Sequence, residues 1–397
     1  QEVDPELSHV IDFIQSLLTG GKRFRALFAY WSWASCLPIS DLQLDEPAKE
    51  RSAAALVDIC AALEMFHAAA LVHDDLLDNS DTRRGALSVH KRFEQLHLAN
   101  GWAGSATRFG QAGSVLAGDL MLGWSSELFD AAVKRAPSAA IAWACRDEFA
   151  KMRVEVMAGQ YLDILEENAG PTRNQDEAIG RANRVMLYKT AKYSIEAPLL
   201  IGAAFCGASQ ETLRGLTAFA IPLGLAFQLR DDVLGVFGAP EVTGKPAGDD
   251  LREGKRTALI AYTYDRSEAG NRKVLDSLLG KADLNLAEIE NLREVIIDSG
   301  AKTHVEDLIE KLAAINYQLK PLDIVLIRCD ADKRLHQDEY ARVHVGASAA
   351  ATHWLIDQGI KVMGIDGWGW DIPLHLQVEE YKKNPRPGII WQAHYVG

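Results

Sequence analysis

The chain has 397 residues, 48% of them apolar and 24% charged, with 42 Lys and Arg against 55 Asp and Glu. That balance excludes wholesale disorder, which needs low hydrophobicity together with high net charge. A net charge of −13 and a pI near 5.4 exclude a nucleic-acid binder built on a basic face.

From the start to about residue 316, apolar residues recur at intervals of three and four, the period of amphipathic helices. Residues 53–78 form one long periodic segment, 221–237 another, and 285–314 one or two more. Gly-rich breaks fall near 101–110, 169–173 and 238–248, and Val–Ile–Thr runs of period two are almost absent. This part predicts an all-α bundle. The character changes near 319–322. Residues 323–328 (DIVLIR) are a short β-branched run that reads as a buried strand. Residues 348–358 read as a helix with Ser348 as N-cap and Gly359 as its stop, and 361–366 as a second strand. Strand–helix–strand predicts a parallel pair. So small an α/β segment has few neighbours to cover its sheet, so it is not expected to be a complete domain. The expected organisation is therefore an all-α domain over 1–316 followed by an α/β segment over 317–397.

The five cysteines (Cys36, Cys60, Cys145, Cys206 and Cys329) are scattered with no C-x-x-C pair, which reads as reduced thiols in a cytoplasmic protein. The longest unbroken apolar runs, such as 218–227, are about half of a bilayer span, so no transmembrane segment is expected. The chain opens QEVDPELS with neither Met nor an apolar h-region, and whether a targeting peptide precedes it stays open.

The strongest chemical signal is HDDLLDNSDTRRG, residues 73–85. On a helix Asp74 and Asp78 are i and i+4 and share a face. Two carboxylates facing a cavity need cations, and oxygen donors of this hardness suit Mg²⁺, which keeps water and phosphate oxygens as its other ligands. Arg83 and Arg84 add positive charge shaped for phosphate. An acidic, solvated helix end is the bland reading, and it leaves the apolar stretch 68–72 unexplained. A second pair, Asp231 and Asp232, also ends an apolar helix, inside FQLRDDVLG. Beyond it lies GKPAGDDLREGKR, which mixes Lys245 and Lys255 with Asp250, as a site for phosphate plus metal would. Near the start, GGKRFR sets Lys22 and Arg25 three apart after a glycine pair that lets backbone approach an anion. Taken singly, the last two are ordinary charged segments. Together they describe a diphosphate held by Mg²⁺ in the middle of a helical bundle.

GGKRFR, HDDLLDNSDTRRG, the Lys189–Thr190 pair, FQLRDD and GKPAGDDLREGKRT resemble, in order and spacing, the trans-isoprenyl diphosphate synthases of the geranylgeranyl diphosphate synthase branch. The resemblance spans residues 1–316. It implies an isoprenoid synthase-type helical bundle, a homodimer, that joins isopentenyl diphosphate to an allylic diphosphate (dimethylallyl, geranyl or farnesyl). It also implies roles. Asp74 and Asp78 would bind Mg²⁺ on the allylic diphosphate with Asp75 in support. Asp231 would take a further Mg²⁺ with Asp232 and Asp250 nearby. Arg83, Lys189, Lys245 and Lys255 would hold the allylic diphosphate, and Lys22, Arg25, His67 and Arg84 the isopentenyl diphosphate. Thr190 and Gln228 would line the reacting centre. One position departs: where many members carry a last acid in the second cluster, this chain has Gly235, which shifts the metal load to Asp231 and the loop acids. Ala70 and Ala69, four and five before Asp74, are too small to stop a growing chain, and Phe66 and Met65 are the candidate floors. That predicts a geranylgeranyl (C20) product or a longer one.

Residues from about 320 resemble part of the cyclase family that includes kynurenine formamidase-like metal hydrolases. That family's H-x-G-T-H-x-D motif occurs nowhere in the chain, so no hydrolase activity is carried over and His394 is expected to be an orphan. A fusion, a composite chain and a lineage-specific extension all fit the join. Three other functions compete with prenyl elongation. A terpene cyclase needs no isopentenyl diphosphate site, which Lys22, Arg25 and Arg84 would supply. A non-catalytic modulating subunit usually lacks the acid clusters that this chain keeps. A metal-dependent hydrolase in the tail lacks its His-rich motif.

Overall fold

The computed structural model describes residues 4–37, 44–83, 85–238, 248–281, 283–314, 324–327, 346–360, 362–365, 370–371 and 373–385. The chain divides into two compact units, residues 1–314 and 315–397.

In the first unit, α1 (Ser8–Leu18) and α2 (Phe24–Cys36) lead into α3 (Glu46–Leu77). A short antiparallel hairpin follows, β1 (Thr82–Arg83) and β2 (Ala86–Leu87). Next come α4 (Val89–Ala99), α5 (Ala106–Val133), α6 (Ala139–Ala169), α7 (Ala178–Val185) and a π-helical segment, Met186–Glu196. The unit continues with α8 (Ala197–Phe205), α9 (Gln210–Phe237), α10 (Asp249–Glu253), α11 (Ala258–Arg266), α12 (Ala269–Leu278), α13 (Leu286–Asp298) and α14 (Ala301–Ala313).

Polar caps set where the long helices begin. Asp45 accepts from the Ala48 amide at 2.8 Å, and a proline in the first turn completes the α3 start. Ser105, Ser138 and Ser209 bond the amide three residues on at the heads of α5, α6 and α9, each cap contributing about 1 kcal/mol. Asn285 and Glu288 form a reciprocal capping box that starts α13. These caps explain why α3 and α9 begin well before their strictly periodic stretches, and why the break near 101–110 ends at Ser105 with Gly110 already inside α5.

Helix α3 is the central column. Leu56, Ile59, Leu63, Phe66, Ala69 and Val72 are all buried, and the helix packs on α2 and, more extensively, on α5. A helix apolar around most of its circumference belongs in a core. Phe66 meets Phe149 edge-on, and Phe149 stacks on Phe129 with ring centroids 4.0 Å apart. Both α3 and α9 are long and apolar enough to cross a bilayer by length and composition alone. In α3 most of that apolar surface is spent on neighbouring helices, and its last turn carries carboxylates.

The π-segment is clasped between α6 and α9. Gly159 of α6 makes this possible, because a Cβ there would lie 2.4 Å from the Lys189 nitrogen and 2.7 Å from the Tyr188 carbonyl carbon. A π-turn widens the helix locally and re-aims the side chains it carries, here Lys189 and Thr190.

In the second unit, β3 (Ile324–Ile327) and β4 (Val362–Ile365) pair in parallel with Ile324 opposite Val362, and α15 (Ala349–Asp357) lies between them in sequence. The Ser348 hydroxyl caps α15 through the Ala351 amide at 3.1 Å, and Gly359 takes a φ of 82° just past its end. A last helix, α16 (Leu374–Lys383), follows. Among the described residues this sheet has two strands. His394 lies outside the described residues.

Candidate active site

A cavity of about 420 Å³ opens where α3, α6, the π-segment, α9 and α10 meet. Its lining includes Asp74, Asp163, Asp231, Asp232, Asp249 and Asp250, opposed by Arg83, Lys189, Lys255 and Arg256. The two acid clusters, more than 150 positions apart in sequence as numbered from Asp74 and Asp231, therefore face one space.

The first cluster is cross-tied. Arg83 donates to Asp75, from Nε at 2.8 Å and also from Nη2, and its Nη2 lies 3.7 Å from Asp74. Gln160 donates to Asp74 at 3.0 Å. Lys189 Nζ sits 2.5 Å from Asp163 and 3.4 Å from Asp74. Asp78, the residue that caps the end of α3, is 3.3 Å from Lys255 Nζ, which also reaches Glu253 at 2.8 Å and Asp250 at 3.9 Å. Lys255 thus bridges both clusters.

Burial and charge set the protonation. Burial works to raise the Asp74 carboxyl, but Lys189, Lys255 and Arg83 outweigh it and hold it below its ordinary value. Asp78 goes the other way: burial and the neighbouring Asp74 charge push it up to about 6. Burial also raises Asp75 despite Arg83. Glu167, one turn beyond Asp163, is pushed up to about 7 by burial and by the Asp163 and Asp78 charges. Burial opposes the charges of Lys189 and Lys255, yet the surrounding carboxylates keep both ammonium groups above their usual range.

In the second cluster, Gln228 donates to Asp232 at 2.9 Å and to Asp231 at 3.4 Å, and Thr190 donates to the Gln228 carbonyl oxygen. Asp232 is only 3% exposed, its Oδ2 has no partner, and burial pushes its carboxyl up to about 8. Asp231 is exposed to the cavity mouth.

This donor set suits a hard cation. Carboxylate oxygens dominate, no His or Cys is among the described lining residues, and one buried carboxylate oxygen lacks a partner. Among the described residues no three such groups converge tightly enough to hold an ion alone.

Lys22, Arg25 and His67 lie off the cavity lining. Arg25 donates to Ser194 at 2.7 Å and lies over the Tyr193 ring at 4.4 Å, while the Tyr193 hydroxyl is 3.3 Å from His67 Nδ1. The Arg25 Nε is buried without a partner. Lys22 lies over the Phe24 ring, and Phe24 meets Phe227, next to Gln228, edge-on. Arg84 and Lys245 lie outside the described residues.

The sequence reading missed the α6 wall. Gln160, Asp163 and Glu167 repeat at three and four along 160–167, a polar stripe on a helix whose other face is core, and that spacing was the available signal. The two candidate floors separate: Phe66 lines a second, apolar cavity of about 520 Å³ with Leu122, Val154 and Met157, whereas Met65 packs against the α1–α4–α5 cluster.

A helical bundle with two facing acid clusters, bridged by cations, defines a class of site built for a metal-held polyanion. The polyprenyl synthetase family model matches residues 7–296. A short chain isoprenyl diphosphate synthase of Methanocaldococcus jannaschii is 30% identical over 304 residues, covering 75% of this chain and 81% of the relative. The crystal structure of a Corynebacterium glutamicum geranylgeranyl pyrophosphate synthase, complexed with isoprenyl diphosphate and magnesium, superposes with a TM-score of 0.70 at 36% identity, covering 78% of this chain and 84% of that one. A Caulobacter crescentus polyprenyl synthase, complexed with calcium and isoprenyl diphosphate, gives a TM-score of 0.60 at 27% identity over 79% and 81%. The chain belongs to the polyprenyl synthetase family, and its enzyme class is trans-prenyltransferase. A Cyclase family model also matches residues 280–372, overlapping the first match and starting about forty residues before the resemblance noted in the sequence. Residues 286–298 of that overlap are core helix in the first unit, with Ile289, Leu292, Val295 and Ile296 buried.

Proposed function

We propose that this chain condenses isopentenyl diphosphate with an allylic diphosphate in a Mg²⁺-dependent reaction, giving geranylgeranyl (C20) or a longer all-trans prenyl diphosphate. The observation that carries this reading is the single cavity lined by both acid clusters and by Arg83, Lys189 and Lys255. Asp74, Asp78, Asp231 and Asp250 would hold the metal, which when bound neutralises the allylic diphosphate and makes it a better leaving group. Lys189, Lys255 and Arg83 reach the same space and would take up the negative charge that builds as the allylic C–O bond breaks. Asp75 orients Arg83, and Asp163 and Asp74 orient Lys189. The Thr190–Gln228 pair presents oxygen dipoles beside the reacting centre. The isopentenyl double bond attacks the carbocation, and the resulting proton leaves with the released diphosphate.

Arg25 and His67, joined through Tyr193, would receive the isopentenyl diphosphate with Lys22. The apolar cavity beside Phe66 would take the growing tail. The α5 and α6 faces expose Val115, Leu116, Val154, Met157 and Tyr161, apolar surface that supports a homodimer. The described cysteines are buried free thiols, which supports a reducing, cytoplasmic setting.

The test is a product assay. The full chain is incubated with labelled isopentenyl diphosphate, farnesyl diphosphate and Mg²⁺, and the products are sized beside an Asp74→Asn control. A C20 product absent from the control supports the reading. No product from the wild-type chain under any allylic starter overturns it.

A further inference from the structure

Position 235 lies four residues after Asp231 on α9, so a side chain there would share the Asp231 face one turn along. This is the relation that Asp78 bears to Asp74 on α3. The residue at 235 is glycine, and the space beside it is already taken. A Cβ built on Gly235 would stand 1.8 Å from Asp250 Oδ2 and 2.6 Å from Asp250 Cγ. The Asp250 carboxylate, carried by α10, therefore occupies the place an acid at 235 would fill. Its other oxygen lies 3.9 Å from Lys255 Nζ, itself 3.3 Å from Asp78. The neighbouring Asp232 Oδ2 is buried without a hydrogen-bond partner, a polar atom left for a ligand at the same corner.

We propose that Gly235 is a positioning residue: it admits the Asp250 carboxylate to the face of α9, so that Asp231 and Asp250 together form the second cation-binding pair, completed from α10. This rests on the Mg²⁺-diphosphate reading above. The glycine at the end of the second acid cluster is then an exchange, one carboxylate delivered from α10 of the same chain for one absent from α9. Because the clashing atoms are the tip of the Asp250 side chain, a methyl at 235 turns that carboxylate away and leaves the backbone of α9 in place. Binding of the cation would also draw α10 onto α9, and through Lys255 onto the end of α3.

The test measures metal binding, not turnover. Mn²⁺ is titrated in the presence of inorganic pyrophosphate into the full chain and into Gly235→Ala, Asp250→Asn, Gly235→Asp and the double variant Gly235→Asp/Asp250→Gly. Bound Mn²⁺ is followed by electron paramagnetic resonance, and thermal melts report folding. Gly235→Ala and Asp250→Asn are expected to weaken Mn²⁺ binding by about 10–100-fold, the usual cost of misplacing a ligand or its support. The double variant returns the acid to α9 with room to stand and is expected to bind more tightly than Gly235→Asp alone. Wild-type affinity in both single variants Gly235→Ala and Asp250→Asn, or no recovery in the double variant, overturns the proposal. So does a wild-type chain that binds no Mn²⁺–pyrophosphate. If Gly235→Ala fails to fold, Asp250→Asn and the double variant decide. A wild-type chain that binds Mn²⁺–pyrophosphate yet makes no prenyl product would sink the reaction and leave the Gly235–Asp250 pair standing.

Discussion

Asp163 holds the Lys189 ammonium at 2.5 Å and so fixes the cation that also faces Asp74 at 3.4 Å. Asp163 is on α6 and Lys189 on the π-segment, and their ion pair joins the two elements at the cavity wall. Asp163→Asn keeps the shape and loses the charge. Freed from Asp163, Lys189 should turn fully onto Asp74 and compete with the metal. Steady-state kinetics should show a fall in kcat/KM for the allylic substrate. The fall should be smaller than the roughly 10²–10³-fold loss that follows removal of a direct donor to developing charge, and higher Mg²⁺ should recover part of it. An unchanged Mg²⁺ dependence would remove Asp163 from this role.

Asp78, Glu167 and Asp232 carry folded-state values raised to about 6, 7 and 8 by burial first and by nearby carboxylates second. A carboxyl raised on folding binds its proton more tightly in the native state. Its contribution to stability is fully present below the ordinary carboxylate value and is lost as pH rises through the folded value. The metal-free chain should therefore melt at a lower temperature at pH 8.5 than at pH 5.5. Mg²⁺ with pyrophosphate favours the ionised forms and should raise the melting temperature most at the higher pH. Melting curves on a two-by-two grid of pH and Mg²⁺–pyrophosphate would check both statements.

Gly159→Ala should damage the site from a distance. The added methyl would meet the backbone of Tyr188 and Lys189 at 2.7 and 2.4 Å, and backbone cannot step aside as a side-chain tip can. Overpacking of this kind costs about 1–3 kcal/mol. A lowered melting temperature should accompany a reduced kcat. Full activity with wild-type stability would show that α6 and the π-segment slide freely.

Phe66 is 1% exposed, lies between Phe149 and Tyr193, and forms part of the wall of the apolar cavity. Phe66→Ala should destabilise the chain by about 3–5 kcal/mol and lengthen the prenyl product of whatever fraction folds. Met65→Ala, on a different face of α3, should leave product length unchanged. Chromatographic sizing of the products separates the two outcomes.

Burial pushes the thiols of Cys60, Cys145 and Cys206 up to about 12. At pH 8 they should resist alkylation in the native chain and react once it unfolds. Peptide mapping after a brief iodoacetamide pulse would count them.

The helical class, the two acid clusters and the start of the parallel pair at 324–327 were legible in the sequence, because helical periodicity, capping residues and i, i+4 acids are local properties. The order of the motifs also marked the family. Other features needed the fold. Nothing near Asp163 in the sequence announces Lys189 as its partner, since their contact depends on α6 lying against a π-segment whose register no local pattern encodes. Lys255 bridges Asp78 and Asp250 only because α3 and α10 end at the same cavity. Gly235 reads in the sequence as a missing acid, and tertiary packing makes it the space for one. A chain declares which residues can carry charge and where its helices start. Which charges share a space, and what each costs to ionise there, is settled by the burial and the neighbours that only packing supplies.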